Sequence, residues 1–343
     1  MESHPVRSLR HQFIERHTGR VLNERLYGDR VVNLLYSGAR ENPSRLFRSL
    51  TSARMSSLLG FVNYDMFAGG AIMGGRSFLD ACGIDWSECV DGRERFKSLR
   101  DVFERKIRYW ECRPMPEDQG AIVAPADSRM IVGSLADTSK LFLKGKFFDL
   151  DELLGTDKEE WLAAFEHGDF AVFRLTPDKY HYNHTPVSGM VKDLYEIPGK
   201  YHSCNPGAVV AVATPYSKNK RVVTIMDTDV PGGSGVGLVA MIEVVALMIG
   251  DIVQCYSEQR YEAPRPVRPG MTLRKGLPKS LYRPGSSTDV LLFEKGRMRF
   301  AEDLVRNMYL PGVESRFSSG FGKSLVETEV KVRSLIGAVS SEQ

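Results

Sequence analysis

Three groups of residues, far apart in the chain, have the types that could do chemistry together. Asp127 follows Pro125-Ala126 and precedes Ser128. His181 and His184 sit in Tyr180-His181-Tyr182-Asn183-His184, with Pro186 and Gly189 close behind. Ser286 and Ser287 lie in Arg283-Pro284-Gly285-Ser286-Ser287-Thr288, which runs into Val290-Leu291-Leu292-Phe293. Acid, histidine and serine in this chain order are the parts of a nucleophilic triad. The ring takes the hydroxyl proton, and the carboxylate orients and charge-stabilises the ring. A serine at a tight turn has a second option. It can attack the carbonyl that precedes it, so that the chain cuts itself.

Each group also has a plain structural reading. An Asp after Pro-Ala commonly caps its own turn. Histidines three apart point to opposite faces of a strand and converge only in a turn or helix. No HExxH motif or cysteine cluster supplies further ligands, so the pair predicts no metal site. The tyrosines, Pro186 and Gly189 predict a constrained loop around the histidines. Gly-Ser-Ser-Thr before an apolar run is by itself a turn feeding a strand. Pro231-Gly232-Gly233-Ser234-Gly235-Val236-Gly237 lacks both the Lys-Ser/Thr of a phosphate loop and the GxGxxG spacing. It reads as a flexible loop near the active site, where glycines allow close backbone approach. Arg174 and Lys179 could meet a substrate carboxylate or phosphate, or stand as solvated charges.

The elements that must position these residues change character along the chain. Residues 1–116 read as helical, with helical spacing over 45–59 and over 91–110, where Phe96, Leu99, Val102, Phe103 and Ile107 recur. Pro114 and Pro116 end that pattern. The apolar and glycine-rich residues 58–73 suit a packed helical hairpin or a patch leaning on a membrane. From 121 onward, short β-rich runs appear at 121–123, 130–132, 170–175, 208–213, 221–226, 238–253 and 289–293, punctuated by Gly and Pro. A helix is predicted over 158–166 and a loop over 315–322. The expected class is α+β: a helical N-terminal region, 1–116, followed by a mostly antiparallel, barrel-like or sandwich β domain, 117–343.

The 343 residues carry a net charge of +3, compatible with an anionic lipid surface but too weak to argue for nucleic acid. Five scattered cysteines without a CxxC pair predict a reducing compartment, no disulfide framework and no structural zinc. The polar, then basic, N-terminus carries no apolar signal-peptide core. The longest apolar stretch, 236–249, contains Gly237 and Glu243 and is shorter than the ~20 residues that span a bilayer. A soluble or peripheral protein is expected.

Together these residues resemble the phosphatidylserine decarboxylase family, over most of the chain. The likeness rests on His17-Thr18-Gly19 with Glu24-Arg25-Leu26-Tyr27-Gly28, and on Phe103-Glu104-Arg105-Lys106-Ile107 with Arg113-Pro114. It continues through Pro125-Ala126-Asp127, Phe173-Arg174-Leu175, the histidine segment, Val245-Ala246-Leu247-Met248-Ile249-Gly250, and Lys275-Gly276 before the serines. The resemblance implies a self-made pyruvoyl group, with neither PLP nor metal, whose carbonyl condenses with a substrate amine and withdraws electrons as carbon dioxide leaves. It implies that Asp127 and His184 assist the self-cleaving serine and that His181 moves a proton during turnover.

Aligning Thr288 and Phe293-Glu294-Lys295 with the family's Gly-Gly-Ser-Thr variant favours Ser287 as nucleophile and pyruvoyl precursor. The products are then 1–286 and 287–343. Aligning on the Gly-Ser bond makes it Ser286. The implied substrate is phosphatidylserine, the implied setting a cytoplasmic, peripheral association with an anionic membrane, and a homodimer is compatible. Ser128 stands where the family has Gly, and residues 232–237 are an unusual variant. A soluble amino-acid decarboxylase of the same chemistry is therefore the alternative substrate reading. An unprocessed binding protein is the alternative from another class.

Overall fold

The computed structural model describes residues 10–26, 83–135, 147–212, 214–246, 251–284, 287–322 and 324–340. Its strands are β1 (Gln12–Glu15), β2 (Arg20–Asn23), β3 (Ala121–Val123), β4 (Ser128–Ser134), β5 (Asp169–Leu175), β6 (Tyr182–His184), β7 (Gly189–Ile197) and β8 (Arg221–Asp227). They continue with β9 (Leu238–Val245), β10 (Ile252–Gln254), β11 (Thr272–Leu273), β12 (Pro278–Tyr282), β13 (Ser287–Phe293), β14 (Met298–Phe300), β15 (Glu327–Val330) and β16 (Leu335–Val339).

The main sheet has ten strands in the order β11-β7-β8-β9-β13-β5-β4-β15-β1-β2, with β10-β12-β6 and β14-β16-β3 as smaller sheets. Pairing is antiparallel except between β1 and β15. β13 lies between β5 and β9, and all seven of its residues are buried. That is why its sequence is a nearly continuous apolar run and not an alternating one. The core spreads from these three strands and includes Phe170, Phe173, Ile242, Leu291 and Phe293. Each such side chain contributes about 1.5–3 kcal/mol on burial.

The α+β class holds, but the described main sheet is open, ending at β11 and β2, and does not close as a barrel. The N-terminal region is not helical throughout. Residues 12–23 form a hairpin that joins the main sheet through β15. Its short strands alternate too few residues to announce a period, and the distant strand β15 is what joins the hairpin to the main sheet. Residues 91–110 do not make one helix. Ser98 caps a new start with Asp101 in a capping box, the helix Leu99–Phe103 ends at Glu104, and Ile107 bridges to Cys89 as extended chain. The expected helix over 45–59 and the apolar segment 58–73 lie outside the described residues.

The expected strand at 208–213 is a helix, Pro206–Ala211. Asn205 accepts Gly207 N–H at its start and Pro206 occupies the first turn, and these end signals outweigh the β-branched valines. The expected loop at 315–322 contains the helix Arg316–Phe321, fixed by burial of Phe317 and Phe321. The helix expected over 158–166 is present as Glu159–Phe165.

Candidate active site

Ser287 opens the central strand. Its register partners are Leu175 on β5 and Val245 on β9. Both belong to an apolar cluster with Phe103, Ala126, Tyr201, Val222, Ile252 and Tyr282. The Ser287 hydroxyl is buried in this setting and has no hydrogen-bond partner among the described residues. Gly285 and Ser286, the alternative nucleophile, lie outside the described residues.

His181 ends the loop between β5 and β6, and its carbonyl accepts the Tyr282 N–H, on the strand that leads into the serine turn. Its ring stacks on Phe103 at 3.5 Å between centroids. Nδ1 lies 2.8 Å from the Lys179 carbonyl, so it carries the proton, and the buried Nε2 lone pair has no partner among the described residues. Burial, then the Arg105 charge, push its pKa down to about 3, so the ring is a neutral base at ordinary pH. A buried donor or acceptor left bare costs about 1–3 kcal/mol, and such atoms are tolerated where something else is meant to meet them.

His184 faces elsewhere, as strand alternation requires for a residue three positions on. Its Nδ1 donates to the Gly276 carbonyl at 2.8 Å, and Nε2 lies 2.9 Å from the Tyr180 hydroxyl, which in turn lies 2.8 Å from that of Tyr261. Burial lowers its pKa to about 3 as well. The Lys275-Gly276 signal now has a physical cause. Gly276 adopts φ +74°, and a Cβ there would sit 2.2 Å from the Met115 sulfur, so only glycine turns this carbonyl toward His184. The two histidines serve separate apolar clusters and do not converge on one point.

Asp127 does not hydrogen-bond either histidine. Its carboxylate accepts both ends of the Arg113 fork, at 3.0 and 2.7 Å, and the Val332 N–H at 2.8 Å. Arg113 also holds Glu88. Burial alone would raise the Asp127 pKa, but the Arg113 charge and these bonds hold it below the usual carboxylate range. The Asp127 loop still touches the histidine strand, because His184 N–H donates to Pro125 O at 2.7 Å. Its negative charge favours protonation of both rings, though less than burial opposes it. A literal hydrogen-bonded triad is thus absent. His181 reaches the cluster around the start of β13 by stacking on Phe103, and Ala126, next to Asp127, belongs to it, whereas His184 lies farther along β6, opposite Pro278.

Several expected roles change. Arg174 is no free anion receptor, because it pairs with both Glu24 and Glu327 in a buried network that fastens β1, β2, β5 and β15. Lys179 pairs with Glu329. His11, Glu24 and Glu327 stand close enough to suggest a metal, but His11 Nε2 donates to Glu327 and the carboxylates are taken by Arg174 and Arg129. The glycine-rich loop is not near Ser287. It joins β8 to the start of β9, whereas Ser287 pairs with the last residue of β9. It is also tied down, with Ser234 exchanging hydrogen bonds with Ser188. The four cysteines among the described residues are free thiols.

Residues not singled out from the sequence lie next to the serine. Lys279 and Glu243 form an ion pair at 2.7 Å with both side chains fully buried, and Asp289 faces Glu243 across β9 and β13. Glu243 and Asp289 interrupt apolar runs, which was the one visible signal. Tyr180 and Tyr261 were legible only as aromatic residues.

Among the described residues, no helix is long and apolar enough to cross a membrane. Residues 99–312 match the family model described as phosphatidylserine decarboxylase, a span that includes Asp127, both histidines and Ser287. The chain is 31% identical over 297 residues to a phosphatidylserine decarboxylase proenzyme of Ruminiclostridium cellulolyticum, covering 86% of this chain and 91% of the relative. It is 28% identical to a proenzyme of the same name from Fusobacterium nucleatum, with the same coverage. A phosphatidylserine decarboxylase proenzyme 2 of Oryza sativa is 33% identical over 65% of this chain and 34% of the relative.

Proposed function

The chain belongs to the phosphatidylserine decarboxylase family, and from that premise we propose that it is a self-processing carboxy-lyase that converts phosphatidylserine to phosphatidylethanolamine and carbon dioxide. The observation that carries this reading is the unpartnered Ser287 hydroxyl at the head of the central strand, in an apolar wall beside the histidine loop.

Self-processing uses the chain's own atoms. The Ser287 oxygen attacks the carbonyl carbon of residue 286, and the acyl group moves from nitrogen to oxygen. Loss of the Ser287 α-proton expels the residue 286 carboxylate and leaves a dehydroalanine. Water then releases ammonia, and residue 287 becomes a pyruvoyl group. The family likeness assigns His184 to the proton transfers, and its tautomer is fixed by Gly276, with the Tyr180 hydroxyl at its Nε2. Asp127 acts as a positioning residue, holding Arg113 and the backbone at Val332.

The surroundings fit a pyruvoyl group at 287. Leu175, Val245 and Phe103 exclude water, and an apolar wall favours an uncharged carbonyl. When formed, the group withdraws electrons from the bond to the departing carboxylate. The neutral His181 ring, with Nε2 unpartnered among the described residues, supports a role in taking up and returning a proton in turnover. A cytoplasmic, peripheral association with an anionic membrane follows from a lipid substrate, and the mild positive charge supports it. A homodimer is part of the same proposal.

Intact-mass spectrometry of the purified chain tests the reading. The expected result is two species, 1–286 and 287–343, the second lighter than its serine-started peptide by the loss of ammonia. Ser287→Ala should leave one chain, and cutting before 286 would move the nucleophile to Ser286. A persistent single species without turnover would replace the enzyme by a binding protein. Turnover of a free amino acid, with no sedimentation on phosphatidylserine vesicles, would replace the lipid substrate.

A further inference from the structure

Strand alternation places Ser287 and Asp289 on one face of β13 and Thr288 on the other. Asp289 is fully buried. Its Oδ1 lies 2.7 Å from the Tyr282 hydroxyl, and its Oδ2 has no partner among the described residues. The same hydroxyl lies 3.0 Å from the Thr288 carbonyl oxygen and accepts the Val244 N–H at 3.1 Å. One phenolic proton cannot serve two acceptors. An ionised Asp289 would compete with Thr288 for it and would stand as a bare charge opposite Glu243.

The neighbouring donors are already engaged. Lys279, from β12, pairs with Glu243, which also accepts hydrogen bonds from the Asn183 amide at 3.1 Å, the Gln254 amide at 2.8 Å and the Ser280 hydroxyl. From β5, Phe173 faces Asp289 and brings no charge. On the opposite face the Thr288 hydroxyl donates to the Cys204 thiol at 3.0 Å. A protonated Asp289 resolves the count. Its acid proton goes to the phenol oxygen, the phenol proton goes to the Thr288 carbonyl, and the Val244 N–H takes the phenol's other lone pair.

We propose that Asp289 works as a neutral carboxylic acid which, with Tyr282, forms a clasp across the self-cleavage site. Tyr282 remains on the chain that ends at residue 286, whereas Thr288 and Asp289 follow the new terminus at 287. The phenol therefore holds the first peptide of the new chain once covalent continuity is lost, and keeps residue 287 in register between β5 and β9. The clasp rests on the self-cleavage reading above. Asp289 and Tyr282 are positioning residues, and neither takes part in bond making. Burial and the facing Glu243 both raise the Asp289 pKa, consistent with the neutral state.

The test compares Asp289→Asn, Asp289→Ala and Tyr282→Phe with the natural chain. All three should cut as the natural chain does by intact mass. Asparagine keeps an N–H for the phenol and no charge, so it should retain turnover. Alanine and Tyr282→Phe should lower kcat about three- to tenfold, the loss of one hydrogen bond. Amide exchange at residues 288–290 of the cut chain should quicken in these two and stay slow with asparagine.

Thermal stability supplies a second readout. Above about pH 4 the unfolded Asp289 ionises while the folded one stays protonated, so the natural chain should lose Tm relative to Asp289→Asn as pH rises. Below that pH the two should converge. Asparagine behaving like alanine, a Tm gap independent of pH, or unchanged exchange in both weakening variants would each overturn the clasp. An uncut natural chain would sink the self-cleavage reading instead. The pH comparison reads the neutral Asp289 in cut and uncut chains alike.

Discussion

Replacing His181 by glutamine should change how stability depends on acid more than stability at neutral pH. The ring is fully buried and neutral, with its pKa lowered from 6.5 to about 3, first by burial and then by Arg105. Between those values the unfolded chain binds a proton that the folded chain refuses. Stability is therefore complete above about pH 6.5 and falls as pH drops, by about 1.4 kcal/mol per pH unit for this ring. Over two units the ring accounts for about 3 kcal/mol, a large share of the 5–15 kcal/mol typical of a folded domain. His184 adds a second, similar contribution. Asp289, with its raised pKa, works in the opposite sense. Both are common to the natural and variant chains and cancel in the comparison. The assay is urea unfolding at a series of pH values from about 7 to 5, in a background with Ser286→Ala and Ser287→Ala so that a single chain unfolds. His181→Gln should flatten the slope of unfolding free energy against pH, by about 1.4 kcal/mol per unit at the acid end of this range and by about 2 kcal/mol in all between pH 7 and 5. Parallel lines for the two chains would refute the reasoning, because the folded ring would then accept a proton as readily as a solvated one.

Three further outcomes are expected. Gly276→Ala forces an L-residue to φ +74° against the Met115 sulfur, and should cost about 1–3 kcal/mol and slow self-cleavage by turning the carbonyl off His184; a normal time course by intact mass would remove that bond from the mechanism. Asp127→Ala leaves Arg113 with Glu88 alone, and should destabilise by about 3 kcal/mol, the lower end for breaking a buried ion pair; an unchanged urea midpoint would show that Glu88 suffices. Tyr180→Phe removes the hydroxyl beside His184 Nε2, and should slow cleavage while costing only about 0.5–1.5 kcal/mol of stability; unaltered cleavage kinetics would exclude the phenol from the proton path.

The sequence by itself named the candidate acid, histidines and serines. Residue type and local spacing carry that information without any partner. It also determined β5, β8 and β13, whose β-branched and apolar runs are long enough to read. Tertiary structure decided the pairings. A period of two states which face a residue occupies, not which strand lies beside it. Hence residues 12–15, paired locally with β2, entered the main sheet only through Glu327–Val330, and the glycine-rich loop went to the end of β9 remote from Ser287. Asp127 could be recognised as a useful carboxylate, but its engagement by Arg113 depends on chain geometry around Pro114 and Val332. Asp289 shows the limit most clearly. In the sequence it is a charge in an apolar run. Only the register that sets it opposite Glu243, and the phenol brought to it from β12, turn it into a neutral acid, because protonation follows from the surroundings of a side chain and not from its identity.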